Sequence, residues 1–366
     1  MLKVTSGRVH IIPVNHRGNW VLVEVKSADH QRGWGEASDS KNDSACIEEI
    51  RSYIENLKGK DIDPIAAADS LIHGVPNKRL LRTAPSAVAQ ALYDLSCRIE
   101  GISVAKKLSQ GHEVPNTVQF YCNINRKSAS REPASIAAAG CEALKAGCTN
   151  IKIAPFDEVS PQHNPKEVKN LLGPGVARLR ALRDAVGPQT QLMIDCHWRF
   201  TKETAPMLAA ICNDLEITWI EDPLDIWDKS ACDELRNISG GRICGGENFY
   251  TFGELENLAK SGCIDVLIAD VKFIGGPGKL DEVCKMAATY GLTFAPHNPS
   301  GPICTAASAQ VTAANHNAEI LEYAFGEVPW RMAFAKGEQL LGTEITVKGP
   351  GLGIDIDFYS QGKPAD

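Results

Sequence analysis

The chain has 366 residues, is 43% hydrophobic and 23% charged, and carries a formal net charge of −7. That is enough apolar chain for a full α/β barrel plus a smaller domain, and it excludes bulk disorder. With no long run of like charge, the acidic balance also excludes a nucleic-acid partner, which needs a basic surface; a small anionic substrate needs only local positive charge. Met1–His10 lacks the apolar core of a secretion signal, and no window is long and apolar enough to span a bilayer, so no membrane partner and a cytoplasmic location are expected. Twelve cysteines are scattered without a Cys-x-x-Cys pair, which reads as reduced, mostly buried thiols.

Taken in order, Lys3 to Ser38 reads as antiparallel strands, clearest in the alternation Trp20–Val25 and in Gly33–Ala37. Polar loops interrupt it at Asn15-His16-Arg17-Gly18-Asn19 and follow it at Asp39–Asp43. Helical spacing then runs over Ala45–Leu57 and Ala84–Ile99, the latter with Val88, Leu92 and Leu95 on one stripe. Strands followed by helices predict an α+β cap over residues 1–115. After Pro115 strand and helix alternate. Strands are predicted at 118–123, 151–154, 192, 216, 243, 265–269, 292–295 and 319–323, with helices at 134–146, 202–213, 228–238, 252–261, 278–290 and 304–314. Eight strands in one run predict a (β/α) barrel over 116–344, its last units less regular. The Gly-rich, strand-like stretch Ile345–Phe358 is expected to return to the cap as part of 345–366. Gly275-Gly276-Pro277-Gly278 reads as a tight turn, and there is no Walker A, G-x-S-x-G or G-x-G-x-x-G unit.

The chemistry sits at the strand ends. QLMIDCHWRF at 191–200 is a buried strand that turns ionisable, and continued extension would put Asp195, His197 and Arg199 on one face. One such end is often only a turn or a helix cap. The pattern recurs, however, with Lys152, Glu221, Glu247, Asp270 with Lys272, His297, and Glu322. Asp195, Glu221 and Glu247 on successive strands offer the oxygen cage that a hard divalent ion such as Mg²⁺ requires, one ion per subunit. Asp270 and His297 on the next two strands form a carboxylate–imidazole pair, the pattern of a general base. Lys152, beside the metal strands, is placed to stabilise an enediolate, and His197 to act as a second acid. Arg199 and Lys272 are candidate substrate-binding cations, and Asn15 and His16 candidate substrate contacts from the cap.

GWGEA at 33–37, ALYDL at 91–95, IEDP at 220–223, and the order Asp195, Glu221, Glu247, Asp270, His297 resemble the enolase superfamily and its mandelate racemase subgroup over essentially the whole chain. That resemblance implies a Mg²⁺-assisted proton abstraction beside a carboxylate and a homo-oligomer of even subunit number, up to an octamer. The subgroup's Lys-x-Lys pattern is broken here, because Lys152 is followed by Ala154 where a second base would stand. Asp195-Cys196-His197 and APHNPSGP at 295–302 are similar to acid-sugar dehydratases of the galactonate and mannonate type. The expected function is therefore dehydration of a small α-hydroxy acid, a sugar acid, to a 2-keto-3-deoxy acid. In that reaction His297 takes the α-proton, Asp270 orients it, and His197 protonates the leaving 3-hydroxyl. A racemase or epimerase using the same enediolate is the alternative within enzymes, and a ligand-binding barrel without turnover the alternative outside them.

Overall fold

The alternating run Trp20–Val25 becomes a strand buried on both faces. In the computed structural model, which describes residues 1–16, 18–127 and 130–362, the cap sheet has the order β3-β2-β1-β4. Its strands are β1 (Leu2–Asn15), β2 (Gly18–Ser27), β3 (Arg32–Glu36) and β4 (Asp61–Ile62), with helices α1 (Asp43–Leu57), α2 (Pro64–Ser70), α3 (Arg79–Glu100) and α4 (Val104–Leu108). Arg17 of the 15–19 loop, and 363–366 of the C-terminal stretch, lie outside the described residues.

Cross-strand partners point to the same side of a sheet. Val25 pairs with Gly33 and Val23 with Gly35, and that side takes α3. A Cβ on Gly33 would come within 2.1 Å of the Ala91 carbonyl oxygen, and one on Gly35 within 1.9 Å of that of Ala87. Only glycine admits the helix so close. Trp20, Leu22 and Glu36 are on the other side, facing the barrel. Trp20 meets Trp330 at 5.2 Å and Phe334 at 5.8 Å between ring centroids.

The barrel strands are β5 (Thr117–Asn123), β6 (Asn150–Ile153), β7 (Gln191–Asp195), β8 (Ile217–Glu221), β9 (Arg242–Gly245), β10 (Val266–Ala269), β11 (Thr293–Pro296) and β12 (Leu321–Ala324). They pair in parallel from β5 to β11, and β12 pairs with β5. An isolated parallel bridge, Phe294–Ala318, closes the ring between β11 and the approach to β12. The expected α/β barrel with an α+β cap is thus observed. The interior is filled by Tyr121, Met193, Trp219, Cys244, Val266, Ile268 and Ala295, a packed floor on which the strand ends stand. The outer helices are α5 (Pro133–Lys145), α6 (Pro165–Val186), α7 (Ala205–Asp214), α8 (Lys229–Ser239), α9 (Phe252–Lys260), a short α10 (Val271–Ile274), α11 (Pro277–Thr289), α12 (Pro302–Ala314) and a four-residue α13 (Arg331–Phe334).

Several sequence expectations need correction. The 22-residue α6 has no counterpart among the predicted helices. Gly173-Pro174-Gly175 interrupts its pattern, yet Asn164 and Glu167 form a capping box at its start. The reduced-thiol reading fails at one pair: Cys122 on β5 is disulfide-bonded to Cys148 in the turn before β6, because adjacent strands bring together residues 26 positions apart. The other ten cysteines are free, and among them only Cys141 is not buried. The stretch 345–358 is mostly irregular. Its strands are short, β15 (Glu344–Thr346) on β5 and β16 (Asp355–Ile356) on β13 (Ala335–Lys336), while β14 (Leu340–Leu341) pairs with β15. It touches the cap through Trp34 Nε1, which donates to Asp355 at 2.9 Å, and Leu352 N, which donates to Asp94 at 2.7 Å. No helix among the described residues is long and apolar enough to cross a membrane.

One buried carboxylate joins the two parts. Glu36, 0% exposed, accepts from Gly301 N at 2.7 Å, from Cys304 N at 3.0 Å and from the Ser38 hydroxyl at 2.5 Å. It caps the start of α12 from the cap side. Glu36→Ala strands two buried N–H groups and is expected to cost about 3 kcal/mol in urea unfolding, while Glu36→Gln, which keeps an acceptor, costs clearly less. Equal losses in the two variants would show that packing, and not the carboxylate, carries the joint.

Candidate active site

The barrel delivers its ionisable groups to one mouth. Asp195 and Glu221 end β7 and β8 in register with each other, and Glu247 follows β9 after the turn at Gly246. One oxygen from each of the three lies within 4.8 Å of the others. Glu221 is fully buried. The Lys152 ammonium donates to its two oxygens at 2.7 and 2.8 Å, and Trp219 Nε1 donates at 3.0 Å. Burial first, then the charges of Asp195, Glu322 and Glu247, push the Glu221 carboxyl up to about 8 despite Lys152. Lys152 itself is raised, because Glu221 and Glu322 (3.1 Å) outweigh the burial that would lower it. Both partners therefore shift upward: Lys152 answers two carboxylates, and Glu221 answers desolvation and three like charges. An oxygen-only donor set with too few cations of its own fits a hard divalent ion such as Mg²⁺.

Asp270 follows β10 and His297 follows β11. His297 Nδ1 lies 2.8 Å from Asp270 Oδ2, and its Nε2 lies 3.0 Å from Glu247 Oε2. Burial would lower the imidazole pKa, but Glu247 and Asp270 hold it well above the usual histidine value. Asp270 is held below the usual carboxylate range: burial would raise it, yet Lys272 at 3.2 Å and His297 prevail. Glu322 on β12 accepts from Asn123 Nδ2 at 2.6 Å and from Asn298 N at 2.7 Å. Asn298 thereby locks the loop that carries His297.

His197 is placed differently from expectation. The strand stops at Asp195, and His197 and Trp198 take φ values of 48° and 55°. Continued extension is ruled out because Asp195 Oδ1 accepts from His197 N at 3.0 Å, which turns the chain back. The imidazole Nε2 still lies 2.9 Å from Asp195 Oδ2, with the side chain 46% exposed. Burial would lower its pKa, but Asp195 leaves it raised.

A cavity of about 420 Å³ opens above these groups, within the range of small-molecule sites. Asp195, His197, Arg199, Glu247, His297, Glu322 and Ala154 line it. Lys152, Glu221, Asp270 and Lys272 stand behind its surface; Lys272 is fully buried and donates to Ser300. Arg199 lines the wall, and its Nη1 donates to the carbonyls of Val159 (2.7 Å) and Asp157 (3.0 Å). Asn15 and His16 are not brought to the cavity: Asn15 Nδ2 donates to the carbonyls of Glu327 and Arg126, and His16 is exposed in the turn. Asp39 and Lys41 of the polar 39–43 cap loop also line it, as do Arg79, Asn123, Asn125, Arg126, Arg131 and Asp157, which sequence reasoning missed. The polar end of β5, Asn123-Ile124-Asn125-Arg126, has the same signature as the other strand ends and could have revealed three of the lining residues, Asn123, Asn125 and Arg126.

An eight-stranded parallel barrel with a carboxylate triad that could hold a metal ion and a carboxylate-backed histidine at one mouth, under an α+β cap, is the architecture of an α/β-barrel enzyme. The chain belongs to the enolase C-terminal domain-like family, whose sequence profile matches residues 135–360. It is 28% identical over 354 residues to a D-xylonate dehydratase of Haloferax volcanii, covering 93% of this chain and 84% of the relative. It is 24% identical over 372 residues to a D-galactonate dehydratase of Variovorax paradoxus, covering 97% and 92%. A solved mandelate racemase/muconate lactonizing enzyme-like protein from Rubrobacter xylanophilus superposes with a TM-score of 0.83 at 25% identity, covering 100% and 98% of the two chains. The resemblance to the enolase superfamily is borne out.

Filling the triad should stabilise the fold. Mg²⁺ at a hundredfold its dissociation constant is expected to add about 2.7 kcal/mol to unfolding free energy, reversed by EDTA. Glu247→Gln should remove most of that gain. An unfolding midpoint that ignores Mg²⁺ would exclude the triad as a metal site.

Proposed function

We propose that the protein is a Mg²⁺-dependent dehydratase of a sugar acid, converting a 2,3-dihydroxy acid to its 2-keto-3-deoxy form. The observation that carries this reading is that two imidazoles with separate carboxylate partners, His297 on Asp270 and His197 on Asp195, share one cavity beside the carboxylate triad. The names of the sugar-acid dehydratase relatives support the reaction class.

Asp195, Glu221 and Glu247 would hold the ion. When bound, Mg²⁺ supplies electrostatic stabilisation for the negative charge that grows on the substrate carboxylate. His297 removes the α-proton through Nε2, and Asp270 on Nδ1 fixes the tautomer and bears the imidazolium. Lys152 acts one step back from the substrate, because its ammonium holds Glu221 and Glu322 in place and adds positive charge to a low-dielectric floor. His197, paired with Asp195, gives its proton to the 3-hydroxyl as the C3–O bond breaks. Water leaves, and the resulting enol takes a proton at C3 to give the keto acid. Epimerisation needs a second base across the α-carbon, and the methyl of Ala154, which lines the cavity, offers none.

The residue roles separate experimentally. His297→Asn should abolish exchange of the α-proton with solvent deuterium and keep Mg²⁺ binding. Asp270→Asn should lower turnover about 100-fold. His197→Gln should stop keto-acid formation while α-proton exchange persists. Full dehydration by His197→Gln would remove it as the acid and leave His297 acting twice.

A further inference from the structure

The cap side of the same cavity carries charge that the reaction does not use. Lys41 and Asp39 come from the loop after β3, Arg79 from the first turn of α3, and Arg126 from the loop after β5. Asp39 Oδ2 takes Arg79 Nη2 at 2.5 Å and Arg126 Nη2 at 3.7 Å, and its Oδ1 takes Lys41 Nζ at 3.2 Å. Arg126 also reaches Glu327 at 3.2 Å. Three cations thus face two carboxylates. Lys272 adds its field from below Asp39, although its contact is with Asp270. Burial would raise the Asp39 carboxyl, but these cations hold it down at about 2.

The cluster is built in place. Asp39 and Lys41 both occupy the left-handed region, with φ of 61° and 74°, which costs energy for non-glycine residues. Arg79 lies over the Phe273 ring at 4.4 Å, and its Nε–H is buried with no acceptor among the described residues. Glu327 is fixed by Trp20 Nε1 at 3.0 Å. A neutral sugar terminus would not need two guanidiniums and an ammonium gathered against only two carboxylates, Asp39 and Glu327. An anionic terminus would supply the missing counter-charge.

We infer that this cluster is a second anion subsite, and that the substrate is an acid sugar with an anionic group at both ends: a second carboxylate or a phosphate ester opposite the reacting carboxylate. This rests on the dehydratase reading for the reacting end only.

Calorimetric titration tests it. The Mg²⁺-loaded His297→Asn protein, in which turnover is blocked, is titrated with a six-carbon aldonate, the aldarate of the same configuration and the aldonate 6-phosphate. At least one of the two doubly anionic ligands should bind roughly tenfold tighter than the aldonate, and the tighter of them identifies the terminal group. Adding Lys41→Met, on an exposed side chain that threatens folding least, should cut that preference about threefold or more and leave aldonate binding unchanged. Arg126→Gln should cut it further. Equal affinity for all three ligands, or equal weakening of all three by Lys41→Met, would overturn the subsite. Wild-type turnover is read separately. Dehydration of the aldonate with no charge preference defeats the subsite and keeps the dehydratase reading. A Lys41-dependent preference without keto acid or α-proton exchange keeps the subsite and defeats that reading.

Discussion

Mutual repulsion of buried carboxylates is the constraint on which this site depends. Asp195, Glu221 and Glu247 converge within 4.8 Å, with Asp270 and Glu322 also fully or nearly buried close by. Convergence follows from the barrel, whose parallel strands all point their C-terminal ends at one mouth. In a low-dielectric interior such a group is strongly unfavourable unless compensated. The compensation explains the neighbours. Lys152 clamps Glu221 and Glu322, His297 bridges Glu247 and Asp270, His197 sits on Asp195, and Lys272 neutralises Asp270. What remains uncompensated is the binding energy available to a divalent cation.

The cap does more than cover the mouth. Glu36 reaches across to Gly301 and Cys304, and so holds one end of the loop that begins at His297. Asn298 ties the same loop to Glu322, and Arg331 donates to the Ser300 carbonyl at 2.9 Å. The loop that carries His297 is thus fixed from the cap, from β12 and from the segment after it. Trp20 and Arg126 meet on Glu327, a second buried joint between cap and barrel. Rigid support of this kind is what general-base geometry requires.

The barrel and its strand-end groups were legible because both follow from local rules. A βα repeat spaces its strand ends evenly, and an ionisable residue after an apolar run marks the mouth. Features created by distant contacts were not legible. Glu36 reads as an ordinary strand end until α12 is brought against it. Cys122 and Cys148 become partners only through the pairing of β5 with β6. The turn at His197 depends on Asp195 accepting a backbone hydrogen bond, so a side chain read as continuing a strand reaches the Asp195 carboxylate by another route. Helix α6 was hidden by Gly173-Pro174-Gly175, whose cost is covered by packing of Gly175 on Phe156, where a Cβ would approach to 2.5 Å. The 39–43 loop was visible as polar, but its charge pairing with Arg79 and Arg126 belongs to the tertiary fold.

The central claim is that one α-proton is removed at the triad and a hydroxyl then leaves from the next carbon. Proton NMR of the wild-type protein turning over acid sugars in D₂O with Mg²⁺ tests it most directly. A dehydratase of the kind argued here yields a 2-keto-3-deoxy acid with deuterium incorporated at C3 by the enzyme. Recovery of a C2 epimer carrying deuterium at C2, with no keto acid formed from any acid that exchanges, would contradict it.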